Sequence, residues 1–210
     1  MTLYLDSALI DDARRAFALG FVGGITTNPT LMAKTGRPTE EVIATLCEIC
    51  SGTVFHQLTA PTLAERNAEA RRFAALRPNV GLKIPCTPEN LGLAARLAND
   101  GATVGITAIF SAAQVYLACE AGARYILPYV NRSTRLLGDG LALVREMRAV
   151  IDADSAPVEI IAASIKSPEE AVATVLAGAH HLTLPLSVIE AMGAHPLSEQ
   201  AIEEFAKASQ

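Results

Sequence analysis

Residues 80–110 read VGLKIPCTPENLGLAARLANDGATVGITAIF, and this segment contains the clearest indication of the fold class. Two β-rich runs, Val80–Cys86 and Ala102–Phe110, stand on either side of a helical pattern, Glu89–Asn99. The helical pattern has a Thr-Pro start, where the missing N–H of proline costs nothing, and an Asp-Gly end. A strand–helix–strand unit of this kind predicts parallel strands joined by a right-handed crossover.

The same alternation continues in both directions along the chain. Six further β-rich runs bring the predicted strands to eight: Leu3–Ser7, Gly23–Asn28, Val54–Thr59, Tyr125–Val130, Glu159–Ser164 and His181–Ser187. The other clear helical patterns are Leu63–Ala75, Ala112–Ala121, Leu141–Ile151 and Pro168–Ala177, and a last helix is predicted at Glu199–Lys207.

Eight such units in 210 residues predict a (β/α)₈ TIM barrel with an additional C-terminal helix. With no linker or low-complexity tract to divide it, the chain is expected to form a single domain over residues 1–210. The alternative is a doubly wound open sheet. The residues after the first strand read DSALID, however, instead of the Gly-rich loop that such sheets usually carry there.

Composition excludes some classes of function. The net charge of -5 argues against a sequence-independent nucleic-acid binder, which needs a basic face. No apolar run approaches the ~20 residues needed to span a bilayer, and the first residues lack a signal-peptide pattern, so we expect a cytoplasmic protein with no membrane partner. The Cys47–Cys50 pair lies in a helical pattern and is interpreted as small buried residues instead of a redox or metal motif.

Polar residues gather toward the carboxyl ends of the predicted strands, where barrel enzymes place their active sites. A side-chain period of two lets one set of them face a common interior: Asp6, Thr26, Asn28, Gln57, Lys83, Thr107, Tyr129 and Ser164. Arg132 follows just beyond the sixth strand. Any one of these could be a simple turn or cap residue, but their convergence from seven strands favours a site.

Lys83 is the exception within its strand, because Val80–Pro85 offers it no solvated face and a closed barrel has no edge. Burial disfavours the ammonium form and lowers the pKa of a lysine, which makes the neutral amine available near neutral pH. Such an amine condenses with a ketone to give an imine, and the protonated imine accepts electrons when the adjacent C–C bond breaks. Lys83 is therefore predicted to be a Schiff-base nucleophile.

Over nearly its whole length the chain resembles the short transaldolase family. The segments that carry the resemblance include LYLDS, GGITTNPTLMAK, VFHQLTA, GLKIPCTPENLGLAARL, GITAIFSAAQVYLACEAGARYILPYVNR, IIAASIKSPEEAV and LTLPLSVIEAM. The resemblance implies a cofactor-free and metal-free class I enzyme acting on sugar phosphates and ketone donors. It also implies a homo-oligomer, a pentamer or a decamer, with the C-terminal region packed against neighbouring copies.

The resemblance also implies roles. Lys83 matches the Schiff-base lysine, and Asp6 matches the carboxylate that handles substrate hydroxyl protons. Asn28, with Thr26 beside it, is implied to bind the dihydroxyacetone part. Thr107 is implied to help hold a water. Arg132 and Ser164 are implied to anchor the phosphate, for which the guanidinium fork of arginine is well suited.

Two positions separate branches of the family. Gln57 and Tyr129 resemble the fructose-6-phosphate aldolase branch, whereas true transaldolases carry glutamate and phenylalanine there. In that branch Tyr129, Gln57 and Thr107 would hold a water that transfers protons and hydrolyses the dihydroxyacetone imine. Two positions depart from the family pattern. Gly105 replaces a usual asparagine, and Leu127 stands where the aldolase branch often has a small residue, which leaves donor choice open.

The sequence is therefore compatible with four candidate functions. The first is a class I aldolase that interconverts fructose 6-phosphate with dihydroxyacetone and glyceraldehyde 3-phosphate, and the second is a transaldolase of the pentose phosphate pathway. The third is a noncatalytic barrel that binds sugar phosphates. The fourth, a metal-dependent aldolase, is disfavoured because the four histidines do not meet at one end of the predicted barrel.

Overall fold

The computed structural model describes residues 1–209 and is a closed barrel of eight parallel strands. The strands follow the order of the sequence, and β8 pairs with β1 to close the barrel. Their bounds are β1 Leu3–Asp6, β2 Val22–Thr26, β3 Val54–Gln57, β4 Val80–Pro85, β5 Val104–Thr107, β6 Tyr125–Leu127, β7 Glu159–Ala162 and β8 His181–Leu184. The predicted TIM barrel is confirmed, and the doubly wound alternative is wrong.

Every strand ends earlier than predicted, because its last predicted residues already belong to the loops that form the mouth. Asn28 is the clearest case, since it lies outside β2 and caps the helix that follows. Tyr129 likewise lies past β6, where it makes only an isolated bridge to Ala163.

The helices surround the barrel and connect successive strands. Their bounds are α1 Ile10–Ala18, α2 Pro29–Ala33, α3 Thr39–Ile49, α4 Leu63–Ala74, α5 Pro88–Asn99, α6 Ala112–Glu120, α7 Val130–Leu137, α8 Gly140–Asp154, α9 Pro168–Leu176, α10 Leu186–Met192 and α11 Pro196–Ala208. Each clearly predicted helix is present. The additional C-terminal helix, α11, is also present and begins three residues earlier than predicted. No helix within residues 1–209 has both the length and the apolar character that a bilayer crossing requires.

The predicted helix starts have the expected cap geometry. Thr87 Oγ1 accepts a hydrogen bond from the Asn90 amide at 3.2 Å, with Pro88 at the first helical position of α5. Thr62 and Glu65 form a complete capping box at the start of α4. Each of these contacts satisfies a backbone amide that the helix itself leaves unpaired.

Large side chains close the barrel interior on the side of the strand beginnings. The rings of Tyr4, Phe55 and Tyr125 form a connected series, with centroids 6.3 Å apart for the first pair and 5.6 Å apart for the second. Gly81 makes room for this series, since a Cβ there would lie 2.7 Å from the Phe55 ring. Lys83 lies two residues further along β4, so the barrel beneath it is filled with apolar side chains and excludes water.

All four cysteines are free thiols, and Cys50 is fully buried. Burial raises the pKa of both Cys47 and Cys50 to about 11, so both remain protonated at neutral pH. Cys50 is thus buried as the sequence predicts, whereas Cys47 is only partly buried.

Candidate active site

The carboxyl ends of the strands surround an open cavity of about 710 Å³, which we call the barrel cavity. The structure brings most of the predicted site residues into its wall: Asp6, Asn28, Gln57, Lys83, Tyr129, Arg132 and Ser164. Two predicted residues, Thr26 and Thr107, are buried behind the wall. A cavity at this end of a (β/α)₈ barrel is where active sites of this fold are found.

Lys83 lies in the floor of the cavity and is only 3% exposed. It pairs with Gln57 on β3 and with Gly105 on β5, in the middle of the sheet. Its Nζ donates a hydrogen bond to the Thr27 carbonyl at 2.8 Å. Burial lowers the pKa of Lys83 to about 8, although the charge of Asp6 opposes the shift. About a tenth of the amine is therefore neutral, and nucleophilic, at pH 7, far more than for a lysine with the ordinary pKa of 10.5.

Asp6 ends β1 and reaches the cavity with part of its side chain exposed. Burial raises its pKa, while the charge of Lys83 and a hydrogen bond from Thr26 Oγ1 at 3.0 Å oppose the rise. The carboxylate therefore lies close enough to Lys83 for its charge to stabilise the ammonium form, as proton-transfer chemistry at Lys83 would need.

Thr26, predicted to bind substrate, lies behind the cavity wall. Its side chain is buried, and its hydroxyl is engaged with Asp6 and, at 2.6 Å, with the Thr183 hydroxyl. The alternation along β2 does direct Thr26 inward, but to a level behind Asp6 instead of into the cavity. Its contact is with the carboxylate, so Thr26 holds Asp6 in place.

Thr107 also lies behind a cavity residue. It is fully buried, and its hydroxyl lies 3.2 Å from the Leu127 carbonyl and 3.0 Å from the Tyr129 hydroxyl. Thr107 thus forms a hydrogen bond with Tyr129, and of the two only Tyr129 lines the cavity. The pair places a phenol hydroxyl at the wall in an orientation fixed from behind.

Gln57 lies at the end of β3, and its side chain reaches the cavity wall. Its Oε1 is buried and has no hydrogen-bond partner within residues 1–209. A buried acceptor costs free energy until a donor meets it, so this atom is suited to a water or a substrate hydroxyl.

Asn28 and Ser164 reach the wall from loops. The Oδ1 of Asn28 accepts a hydrogen bond from the Leu31 amide at 3.0 Å, which caps α2, so Nδ2 is the group a ligand would meet. Ser164 has a φ of 62°, a left-handed conformation that side chains rarely adopt. Unusual backbone of this kind is concentrated at functional sites.

The rim of the cavity is basic. The Arg132 guanidinium lies 4.8 Å from the centre of the Tyr129 ring, and Lys34 and Lys166 also line the cavity. None of these three cations forms a salt bridge within the part of the chain that the structure describes. Three positive charges at the mouth of one cavity favour an anionic ligand.

Sequence reasoning missed Lys34 and Lys166 as cavity residues. Lys166 carried a usable signal, because it follows the end of β7 much as Arg132 follows the end of β6. Lys34 carried none, because it follows a five-residue helix that the sequence did not predict. The Arg15–Glu190 ion pair at 2.5 Å, which joins α1 to α10 at the rim, was not predicted from the sequence either.

The histidines lie apart from one another except for the neighbours His180 and His181, which stand at the strand beginnings, away from the cavity. His56 is paired with Glu69, and His195 caps α11. Within residues 1–209 no three His, Cys, Asp or Glu side chains gather closely enough to hold a metal ion.

The fold and the cavity therefore define a (β/α)₈-barrel enzyme built around a buried lysine. The family described as Transaldolase/Fructose-6-phosphate aldolase matches residues 3–210, and the chain belongs to this family. Its members are class I enzymes of the aldolase and transaldolase type, which act through a Schiff base in carbohydrate metabolism.

Similar proteins agree with this family. The chain is 40% identical to a probable transaldolase of Heliobacterium modesticaldum, with 99% of this chain and 96% of that protein covered. It is 38% identical to a probable transaldolase of Pelotomaculum thermopropionicum, with 98% and 95% covered. Among solved structures, a thiamine phosphate pyrophosphorylase from Pyrococcus furiosus has a TM-score of 0.60 at 17% identity, covering 92% of this chain and 88% of that one. At that identity the likeness concerns the fold alone.

Proposed function

We propose that this protein is a Schiff-base aldolase that cleaves fructose 6-phosphate to dihydroxyacetone and glyceraldehyde 3-phosphate, and that it also catalyses the reverse reaction. The observation that carries the proposal is the buried Lys83 amine in the floor of the barrel cavity, whose wall also includes Asp6 and Tyr129. Burial of this amine costs stability, and Schiff-base chemistry gives a reason for that cost that binding alone does not give.

The cleavage steps follow from these groups. The neutral Lys83 amine adds to the C2 ketone, and loss of water gives a protonated imine. The Asp6 carboxylate takes the proton of the C4 hydroxyl, the C3–C4 bond breaks, and glyceraldehyde 3-phosphate leaves. The electron pair of the broken bond moves into the protonated imine and gives an enamine at C3.

The release steps involve further residues of the cavity wall. The C3 carbon of the enamine takes up a proton, and water then hydrolyses the resulting imine to dihydroxyacetone and the free Lys83 amine. Tyr129 and Gln57 are the groups we assign to that water, because one presents a hydroxyl and the other an acceptor without a partner. Thr107 supports the phenol from behind.

The phosphate of the substrate is assigned to the basic rim. Arg132 offers a planar fork of donors, Ser164 a hydroxyl, and Lys166 a further positive charge. Asn28 Nδ2 is left for the hydroxyls of the dihydroxyacetone end. This arrangement separates the two ends of the sugar phosphate across the cavity.

A transaldolase is the second candidate, because the similar proteins of Heliobacterium and Pelotomaculum carry that name. The same enamine would then attack a second aldehyde instead of taking up a proton, and no free dihydroxyacetone would form. Gln57 and Tyr129, the latter in contact with Thr107, instead favour a bound water at the position that this second aldehyde would occupy.

Two measurements test the proposal. Borohydride reduction in the presence of dihydroxyacetone should attach a three-carbon adduct to Lys83, located by peptide mass spectrometry, and Lys83→Arg should lose both the adduct and turnover. Release of dihydroxyacetone from fructose 6-phosphate should proceed without an acceptor. Cleavage of fructose 6-phosphate only when erythrose 4-phosphate is present, with sedoheptulose 7-phosphate formed and no free dihydroxyacetone, would identify a transaldolase. Ligand binding without any adduct would identify a noncatalytic barrel.

A further inference from the structure

A buried carboxylate behind the barrel cavity takes part in four hydrogen bonds, three of them at 2.9 Å and one from the Thr59 hydroxyl at 3.4 Å. Glu69 lies on α4 and is 7% exposed. Its Oε1 lies 2.9 Å from His56 Nε2, and its Oε2 accepts from the backbone amides of Thr59 and Ala60, each at 2.9 Å. Although burial alone would raise its pKa, the hydrogen bonds from His56, Ala60 and Thr59 lower the pKa of Glu69 to about 2. The carboxylate is therefore ionised, and His56 Nε2 is the donor in that contact.

These contacts lie on both sides of one cavity residue. That residue is Gln57. His56 directly precedes Gln57 in the sequence, and Thr59 and Ala60 follow Gln57 with only one residue between. His56 points outward from β3 into the helix layer, where its ring stacks on Phe73 with the centroids 3.6 Å apart. Because side chains alternate along a strand, this outward placement of His56 directs Gln57 into the barrel.

Gln57 itself lacks a contact that would fix its acceptor, since its Oε1 has no partner within residues 1–209. The placement of that atom depends on the backbone, which Glu69 holds before and after it. We propose that Glu69 is a positioning residue of the reaction, which acts by holding the end of β3 so that Gln57 presents its acceptor to the barrel cavity. This inference rests on the role assigned to Gln57 under the proposed function.

The direct test is Glu69→Gln, which keeps the shape of the side chain but cannot accept hydrogen bonds at both ends. We expect kcat for fructose 6-phosphate cleavage to fall about 10- to 100-fold, as for a small displacement of a group that orients a reactant. KM should change by less than about threefold, because the rim residues that hold the phosphate are untouched. Glu65→Gln on the same helix is the matched control and should leave kcat unchanged, since Glu65 contacts only the exposed cap residue Thr62.

A double-mutant cycle separates positioning from general destabilisation. If Glu69 acts through Gln57, adding Glu69→Gln to Gln57→Ala should change kcat by less than about twofold. The proposal would be overturned if Glu69→Gln lowered kcat as strongly in the Gln57→Ala background as in the wild type. It would also be overturned if the folded Glu69→Gln variant kept full activity. If Glu69→Gln does not fold, His56→Phe replaces it in the same cycle, because phenylalanine keeps the stack on Phe73 and removes one hydrogen bond. It should lower kcat by a smaller factor, and only when Gln57 is present.

Failure of the proposed function gives a different result. In that case Lys83 is not trapped by borohydride, or Gln57→Ala turns over as fast as the wild type. Failure of the Glu69 inference alone leaves trapping intact and Gln57→Ala slow.

Discussion

Leu127 fills the space beside Gly105 in the barrel interior. A Cβ added to Gly105 would lie 2.8 Å from Leu127 Cδ1 and 3.0 Å from the Phe55 ring. Gly105 on β5 pairs with Lys83 on β4, so this packing occurs at the level of the candidate nucleophile. The absence of a side chain at 105 and the large side chain at 127 are therefore one structural feature.

This relationship predicts compensation between the two positions. Gly105→Ala should destabilise the protein by about 1–3 kcal/mol through overpacking. Leu127→Val should cost about 1 kcal/mol through the methylene it removes. The double variant nearly conserves volume, so its loss should be smaller than the sum of the two, as measured by denaturant unfolding. Additive losses would show that the two side chains do not share this space.

The sequence alone led to the same two residues but not to their connection. Gly105 and Leu127 each departed from the family pattern, and each was interpreted separately as a change in the donor pocket. Leu127 is in fact fully buried beneath the cavity wall. Which interior side chains touch depends on the register between β5 and β6, which a single sequence does not determine.

Other parts were predictable for physical reasons. The eight strands were found because β-rich runs alternate with capped helical patterns, and Lys83 was found because a strand with no solvated face makes a lysine conspicuous. The depth of Thr26 was not predictable, because alternation gives the direction of a side chain but not its depth. Lys34 was missed because its helix, α2, is only five residues long and has no periodic pattern.

The buried amine should have a measurable cost in stability. The folded-state pKa of Lys83, about 8, lies below its ordinary value of 10.5. Between these two values the unfolded chain binds more protons than the folded one, so stability rises with pH. The penalty, about 3 kcal/mol, is fully present below pH 8 and is relieved above about pH 10.5.

Lys83→Met should therefore be inactive but more stable than the wild type at pH 7. The gain is expected to be about 2 kcal/mol, since the Thr27 carbonyl loses its donor at a cost of about 1 kcal/mol. The gain should shrink as the pH rises from 8 to 10.5 in chemical denaturation experiments. Lys34→Met, at an exposed rim lysine, is the control and should show no such gain. A pH-independent difference for Lys83→Met would contradict the assignment.

The hydrogen bond from Thr26 should set the pH range in which Asp6 acts as a base. Thr26→Val removes a contact that lowers the pKa of Asp6, so this pKa should rise further. Because the ionised carboxylate is the active form, the acidic limb of kcat/KM should move to higher pH, with little change on the alkaline side. Thr183→Val keeps the Thr26–Asp6 contact and should shift that limb less. An unmoved acidic limb in Thr26→Val would show that another group controls it.

Arg132 should determine the preference for phosphorylated substrates. In the synthesis direction, with dihydroxyacetone as donor, Arg132→Leu should lower kcat/KM for glyceraldehyde 3-phosphate about 10- to 100-fold, the value of a charge-assisted hydrogen bond. The rate with unphosphorylated glyceraldehyde should change little. Lys166→Leu should act in the same direction. Arg135→Leu is the control, because Arg135 lies three residues after Arg132 on α7 but does not line the cavity. Equal losses with both aldehydes would indicate a general defect instead.

The C-terminal helix should contribute to assembly. None of the described residues of α11 is buried, and its apolar side chains Leu197, Ile202 and Phe205 are 66%, 65% and 70% exposed. Their spacing places them on one side of the helix, and a stripe of this kind is usually covered by a partner. We expect light scattering to give the mass of a homo-oligomer, and Phe205→Asp to lower that mass. Lys207→Asp introduces the same carboxylate on the opposite side and should leave the mass unchanged. A monomeric wild type, or a Phe205→Asp oligomer of unaltered mass, would show that this stripe is not an interface.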